Sequence, residues 1–185
     1  MATEACRPSL MPNTLMTMTG DNRKPRPRIL IAGLGNVLLQ DDGVGVHAVR
    51  ELCRHRRSGV VIAEVGTALF NALHLFEWAD KVLVIDAMQA GHPPGTIYLL
   101  AGESVEQGRA QTSLHELNLH SVFNFIPRSR NPETTILGIE PETIGYGLKL
   151  TPPLRAGLHR VVQEARDLVN LWKPHSFPSS AVHRA

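Results

Sequence analysis

"RILIAGLGNVLLQDDGVGVHAVRELC", residues 28–53, passes from a continuous apolar run through a glycine-broken loop into a helical pattern. Arg28 to Gly33 holds a short continuous apolar run closed by glycine, the signature of a strand covered on both faces. Beyond the loop, Val44, Ala48 and Leu52 recur at helical spacing as far as the basic "RHRR" at 54–57. Strand, loop and helix in that order open an α/β chain. The pattern then repeats: "GVVIAEVG" (59–66) reads as a strand, "ALFNALHLFEWA" (68–79) as a helix with Leu69, Ala72, Leu73 and Phe76 on one face, and "KVLVIDAM" (81–88) as a third strand. Such alternation predicts parallel strands joined by crossover helices.

The second half is more mixed. "GHPPG" (91–95) is a loop before "TIYLL" (96–100), and "SLHELNLHSVFNFI" (113–126) reads as a helix opened by an S-x-x-E capping box, Ser113 and Glu116. "TTILGIEP" (134–141) is the last buried strand. A long helix follows from about Pro152 to Trp172, with Leu154, Leu158, Val161, Val162, Ala165, Leu168 and Val169 as its apolar stripe. The expected fold is a twisted, mostly parallel sheet sandwiched between helices, a three-layer α/β/α domain with room for one antiparallel strand.

With 185 residues and 43% hydrophobic content, the chain suits one substantial core. Residues 28–172 are read as that single domain, 1–27 as a disordered extension broken by Pro8, Pro12, Pro25 and Pro27, and 173–185 as a frayed tail. Met11, Met16 and Met18 offer later translation starts. A formal charge of +2, with no long basic block, argues against a nucleic-acid partner. No apolar span approaches the ~20 residues of a membrane helix, and the leader has no secretory core, so neither insertion nor export is expected. Cys6 and Cys53 lie far apart and form no CxxC motif or disulfide framework, which points to a reducing cytoplasm.

Ligands of open α/β sheets bind beyond the carboxyl ends of the strands, so polar residues there carry the most weight. Asp41 and Asp42 follow the first strand, Asp86 ends "VLVID", and His115 sits in the first turn of the Ser113 helix, whose positive end favours a neutral imidazole. Two carboxylates and one imidazole from three loops would make an open-sided site for a divalent transition metal. One of Asp41 and Asp42 is available as a ligand while its neighbour caps the helix beginning near Gly43; the spacing does not assign the roles. Capping is the commoner role for either aspartate alone. Asp86 is harder to explain so simply, because a carboxylate ending an apolar strand must be hydrated, paired or ligated to escape a cost of roughly several kcal/mol.

Other chemistries fit less well. "GLGNVL" has the first two glycines of a dinucleotide fingerprint, but Leu38 stands at the third. There is no G-x-S-x-G elbow, and neither cysteine ends a strand. His47, His74, His120 and His159 fall on helical stretches as surface or part-packed residues, and His175 and His183 belong to the tail.

"ILIAGLGNVLLQDDGVGVHAV" (29–49), "VGTA" (65–68), "VLVIDAM" (82–88), "PPGTIYLL" (93–100), "SLHELNL" (113–119) and "LGIEPETIGYGLKLTPPL" (137–154) together resemble, in order and spacing, the nickel-iron hydrogenase maturation endopeptidases over roughly residues 28–172. The resemblance implies a protease that removes a short C-terminal peptide from the hydrogenase large-subunit precursor once nickel is inserted. It implies Asp42, Asp86 and His115 as the residues contacting nickel; Asp42 or Asp86 is then available as catalytic general base, and Asp41 and Ser113 are read in capping or supporting roles. Nickel is then expected to arrive with the substrate rather than stay bound to the enzyme, with Lewis-acid activation of the carbonyl or of water as the other use of the metal. The chain departs from the family at "EVGT" (64–67), where D-G-G-T is common, and in its long leader. A non-catalytic nickel-sensing chaperone on the same scaffold is the alternative, and a nucleotide-dependent enzyme the remoter one.

Overall fold

A computed structural model describes residues 5–6, 26–54, 59–102, 116–127 and 131–173, with only the backbone described at 5–6 and 116–120. The strands are β1 (Ala5–Cys6), β2 (Ile29–Leu34), β3 (Val60–Gly66), β4 (Lys81–Ala87), β5 (Ile97–Ala101) and β6 (Glu133–Ile139). The helices are α1 (Val44–Cys53), α2 (Leu73–Trp78), α3 (Glu116–Phe125) and α4 (Pro152–Trp172). The strands form one sheet in the order β1-β3-β2-β4-β6-β5. The four inner strands run parallel, and β5 lies antiparallel on β6 at one edge. At the other edge Ala5–Cys6, from the N-terminal extension, pairs antiparallel with β3.

Every residue of β2 is buried, as its unbroken apolar run requires. Alternate residues serve opposite layers. Ile29, Ile31, Leu83, Ile85, Leu137 and Ile139 pack with Val44, Ala48 and Val49 of α1 and with Leu154, Val161, Val162, Ala165 and Val169 of α4. Leu30, Ala32, Leu34, Val82, Val84 and Ile136 meet Leu69, Ala72 and Phe76 on the opposite face, together with Val122 of α3. Phe76 has no exposed surface and meets the edge of Phe123 at 5.9 Å. Helices therefore cover both faces of the sheet, as expected for three α/β/α layers.

The 68–79 segment differs from a single helix. Ala68, at its start, has no side chain to cap the free N–H groups, and the segment opens as a 3-10 turn over Leu69–Ala72 before α2 begins. α3 is described from Glu116 onward, so Ser113 and its half of the capping box lie outside the described residues. Among the described residues, no helix is long and apolar enough to cross a membrane.

Two glycines set how closely α1 approaches the sheet. A Cβ on Gly45 would stand 2.0 Å from the Ile85 carbonyl oxygen and 2.6 Å from that of Leu34. Both obstacles are backbone, so only glycine lets the first turn of α1 rest on the carboxyl ends of β2 and β4. Gly35 has φ +110°, and a Cβ there would stand 1.8 Å from the Asp42 carbonyl oxygen. The strand end and the Asp41–Gly43 turn thus pack backbone against backbone.

Candidate active site

β2 and β4 are adjacent and parallel, with Gly33 paired to Ile85. Asp86 follows Ile85 directly. The loop leaving β2 folds back through a 3-10 turn at Asp41–Gly43, which lies against β4, and then enters α1, whose Gly45 touches Ile85. Asp42 and Asp86 are thereby brought to the same carboxyl-end edge of neighbouring strands, the ligand-binding edge of an open α/β sheet. Both are almost fully buried, at 1% and 2% exposure. Asp42 Oδ2 accepts the Asn36 N–H at 2.8 Å, and Asp86 Oδ1 accepts the Ala87 N–H at 2.9 Å. Carboxylates so held suit two uses, as oxygen donors to a divalent cation and as acceptors of a proton from an attacking water.

Asp41 requires a correction. Of the capping and supporting roles expected of it, capping is not made: α1 starts at Val44, after Gly43, without any side-chain cap. The Asp41 carboxylate instead turns away, to a segment about a hundred residues on. Oδ1 accepts the Thr151 N–H at 2.8 Å, while Oδ2 accepts the Thr151 hydroxyl at 2.7 Å and the N–H groups of Glu142 and Thr143 at 3.0 and 3.2 Å. Its role is supporting: one buried carboxylate ties the turn before α1 to the 142–151 loop and the start of α4. Thr151 directly precedes Pro152, a typical N-cap position, but gives its hydroxyl to Asp41 rather than to its own helix.

The same loops are joined by backbone. Gln40 N–H donates to Gly147 at 2.9 Å, Gly147 N–H to Leu38 at 3.0 Å, and Asp41 N–H to Thr143 at 3.4 Å. Gln40 has φ 51° and ψ −112° and is the one non-glycine residue with positive φ among those described. Such a conformation costs on the order of 1–3 kcal/mol and persists only where its surroundings enforce it, here immediately before the two aspartates.

Sequence reasoning passed over Glu140, which directly follows β6 much as Asp86 stands near the end of β4. It is 5% exposed. Its carboxylate accepts the Tyr98 hydroxyl at 2.5 Å and the N–H groups of Ala90 and Gly91 at 2.8 and 3.1 Å. Burial by itself would push the Glu140 carboxyl up, but the Tyr98 hydroxyl and the N–H groups of Ala90, Gly91 and His92 outweigh it and hold the group below its ordinary value. Burial, reinforced by the Glu140 carboxylate, pushes the Tyr98 phenol up to about 12. Glu140 thus anchors the loop leaving β4 beyond Asp86. The signal that singled out Asp86, a carboxylate closing an apolar strand, was present here as well.

His115 and Ser113 lie outside the described residues. Among the described residues no three His, Cys, Asp or Glu side chains gather as a metal cluster. The described part supplies two carboxylate donors, oxygen ligands of the kind a divalent cation takes. His47 is half-buried on α1, where burial first and the Arg50 charge second lower its pKa against the opposing pull of Glu64.

Residues 46–168 match the family model described as hydrogenase maturation protease. The chain is 32% identical over 154 residues to the hydrogenase expression/formation protein HupD of Bradyrhizobium diazoefficiens, covering 78% of this chain and 79% of that protein. It is 28% identical over 160 residues to the HoxM protein of the same description from Cupriavidus necator, covering 83% and 79%. The fold superposes on the hydrogenase maturating endopeptidase HybD from Escherichia coli with a TM-score of 0.70 at 27% identity, over 78% of this chain and 93% of that one. The [NiFe] hydrogenase maturation protease HybD from Thermococcus kodakarensis gives 0.66 at 28% identity, over 76% and 98%.

Proposed function

This chain belongs to the hydrogenase maturation proteases, and on that footing we propose that it removes the C-terminal peptide from the nickel-loaded large-subunit precursor of a nickel-iron hydrogenase. The observation that carries the proposal is the pair of buried carboxylates, Asp42 and Asp86, on one edge of adjacent strands in a chain of this family. In this reading Asp42, Asp86 and His115 contact nickel that the precursor already holds. Nickel is then part of the substrate, and a precursor without it lacks the feature that seats the cleavage segment.

Hydrolysis needs a water oxygen to bond to the scissile carbonyl carbon, a proton to leave that water, and the C–N bond to break as a proton reaches the departing amine. Asp42 or Asp86 accepts the water proton, and its position beside the metal-bearing segment makes the transfer local. Leu38, Tyr146 and Leu148 are exposed on the two loops joined at Gly147, and they offer apolar contact to a polypeptide lying across this edge. The cysteine usage, with no disulfide framework, suits a cytoplasmic reaction.

The test is processing of purified, nickel-loaded precursor by the wild type and by Asp42→Asn and Asp86→Asn, each near in shape to the residue replaced. Loss of cleavage by at least about a hundredfold with unchanged circular dichroism supports the reading. Normal processing by both variants would refute it, and binding without cleavage by the wild type would make the protein a chaperone.

A further inference from the structure

Asn36 is the first residue beyond the Gly35 turn at the end of β2, and both its backbone and its side chain are engaged there. Its N–H holds Asp42 Oδ2 at 2.8 Å, and its Oδ1 accepts the Leu38 N–H at 3.0 Å. The second bond settles which arm of the carboxamide is which, because only the oxygen can accept from an N–H. It also freezes the amide plane. The Nδ2 group, on the other arm, donates to no partner among the described residues, and Asn36 is only part-buried. An oriented, uncommitted N–H donor therefore sits within one side chain's length of the Asp42 carboxylate.

A purely structural role accounts for the oxygen alone. The two-residue turn from Asn36 to Leu38 needs an acceptor, which a serine, threonine or aspartate could equally provide. The amide nitrogen is what that turn leaves unused. Resting on the protease reading above, we infer that Asn36 contacts substrate directly: Nδ2–H binds the carbonyl oxygen of the peptide bond that is cut. As the water oxygen bonds to the carbonyl carbon and the carboxylate takes its proton, the carbonyl electron pair moves onto oxygen, and the Asn36 donor meets the charge that develops there. The C–N bond then breaks as the proton passes to the amine. A donor already oriented before the reaction does this without reorganising.

Asn36→Ser separates the two roles, since serine keeps an oxygen for the turn and loses the amide. The loaded precursor is titrated against the wild type and the variant, with melting temperature and precursor affinity measured alongside. We expect an unchanged melt, precursor affinity within about threefold, and kcat reduced roughly 10²- to 10³-fold. Wild-type kcat in Asn36→Ser, or a loss confined to KM, would overturn the inference. If Asn36→Ser fails to fold, Asn36→Asp, which keeps the shape and the accepting oxygen, must show the same loss of kcat or the inference falls. A wild type that leaves the loaded precursor intact defeats the protease reading itself; a wild type and an Asn36→Ser that cut equally defeat only the role of Asn36.

Discussion

Replacing Asp41 by asparagine tests whether one buried carboxylate holds the floor of the site. The residue has no exposed surface, and its two oxygens accept three N–H groups and one hydroxyl. Asparagine is almost the same size but turns one accepting oxygen into a donor. If its NH₂ takes the place of Oδ1, it faces the Thr151 N–H; if it takes the place of Oδ2, it faces those of Glu142 and Thr143. The first orientation is the less costly. It forfeits one bond to a charged acceptor, typically about 1.5–3 kcal/mol, and leaves a buried N–H unsatisfied. The expected destabilisation of Asp41→Asn is therefore about 2–4 kcal/mol. With a urea m-value of about 1–3 kcal/mol/M, the unfolding midpoint should fall by on the order of 1–2 M at unchanged slope. Thr151→Val should cost about 1 kcal/mol, and the double variant less than the sum, because Asp41→Asn has already turned the acceptor of the Thr151 hydroxyl from charged to neutral, so that bond is worth less when Thr151→Val removes it. A change below about 0.5 kcal/mol in Asp41→Asn, or full additivity with Thr151→Val, would refute the tie between these loops.

Gly45→Ala should be harsher than its one methyl group suggests, because the new Cβ meets the Ile85 and Leu34 carbonyl oxygens and neither can swing aside. A loss of at least about 2–3 kcal/mol by urea unfolding is expected, and a near-neutral result would mean that α1 is not seated on the strand ends. For Tyr98→Phe the signs follow from the two shifted groups. Glu140 is held below its ordinary value, so its contribution is present above the usual carboxylate range and is lost as pH falls through its folded value. The Tyr98 phenol is held above its ordinary value, so its contribution is complete below pH 10 and is lost as pH rises towards about 12. The stability gap between wild type and Tyr98→Phe should be widest at neutral pH and narrow on both flanks, and a gap independent of pH would contradict the pairing.

The inner strands were legible because each is an apolar run bounded by glycine, turn or charge, and burial on both faces leaves little else for such a run to be. α4 was legible because its stripe repeats at helical spacing over 21 residues. The positions of Asp42, in the turn leading into α1, and of Asp86, near the end of β4, were legible for the same reason: they depend on elements next to them in the chain. Asp41 was not legible. Its partners lie 101 to 110 residues away, and no local pattern announces donors brought in by the fold. Gln40 was hidden differently, since positive φ ordinarily shows itself through glycine and here falls on a residue without that mark. Glu140 could have been found, because it repeats the arrangement at Asp86. Asn36 could be read as a turn residue, but its contact with Asp42 becomes visible only once Gly35 has closed the loop onto that residue.

The most direct measurement is the mass of the large-subunit precursor after incubation with this protein, once with nickel inserted and once without. The account predicts loss of a C-terminal peptide from the nickel-loaded form and an intact mass for the nickel-free form. Equal shortening of both would contradict nickel as the feature recognised by Asp42, Asp86 and His115. An intact loaded precursor would contradict the proteolytic role.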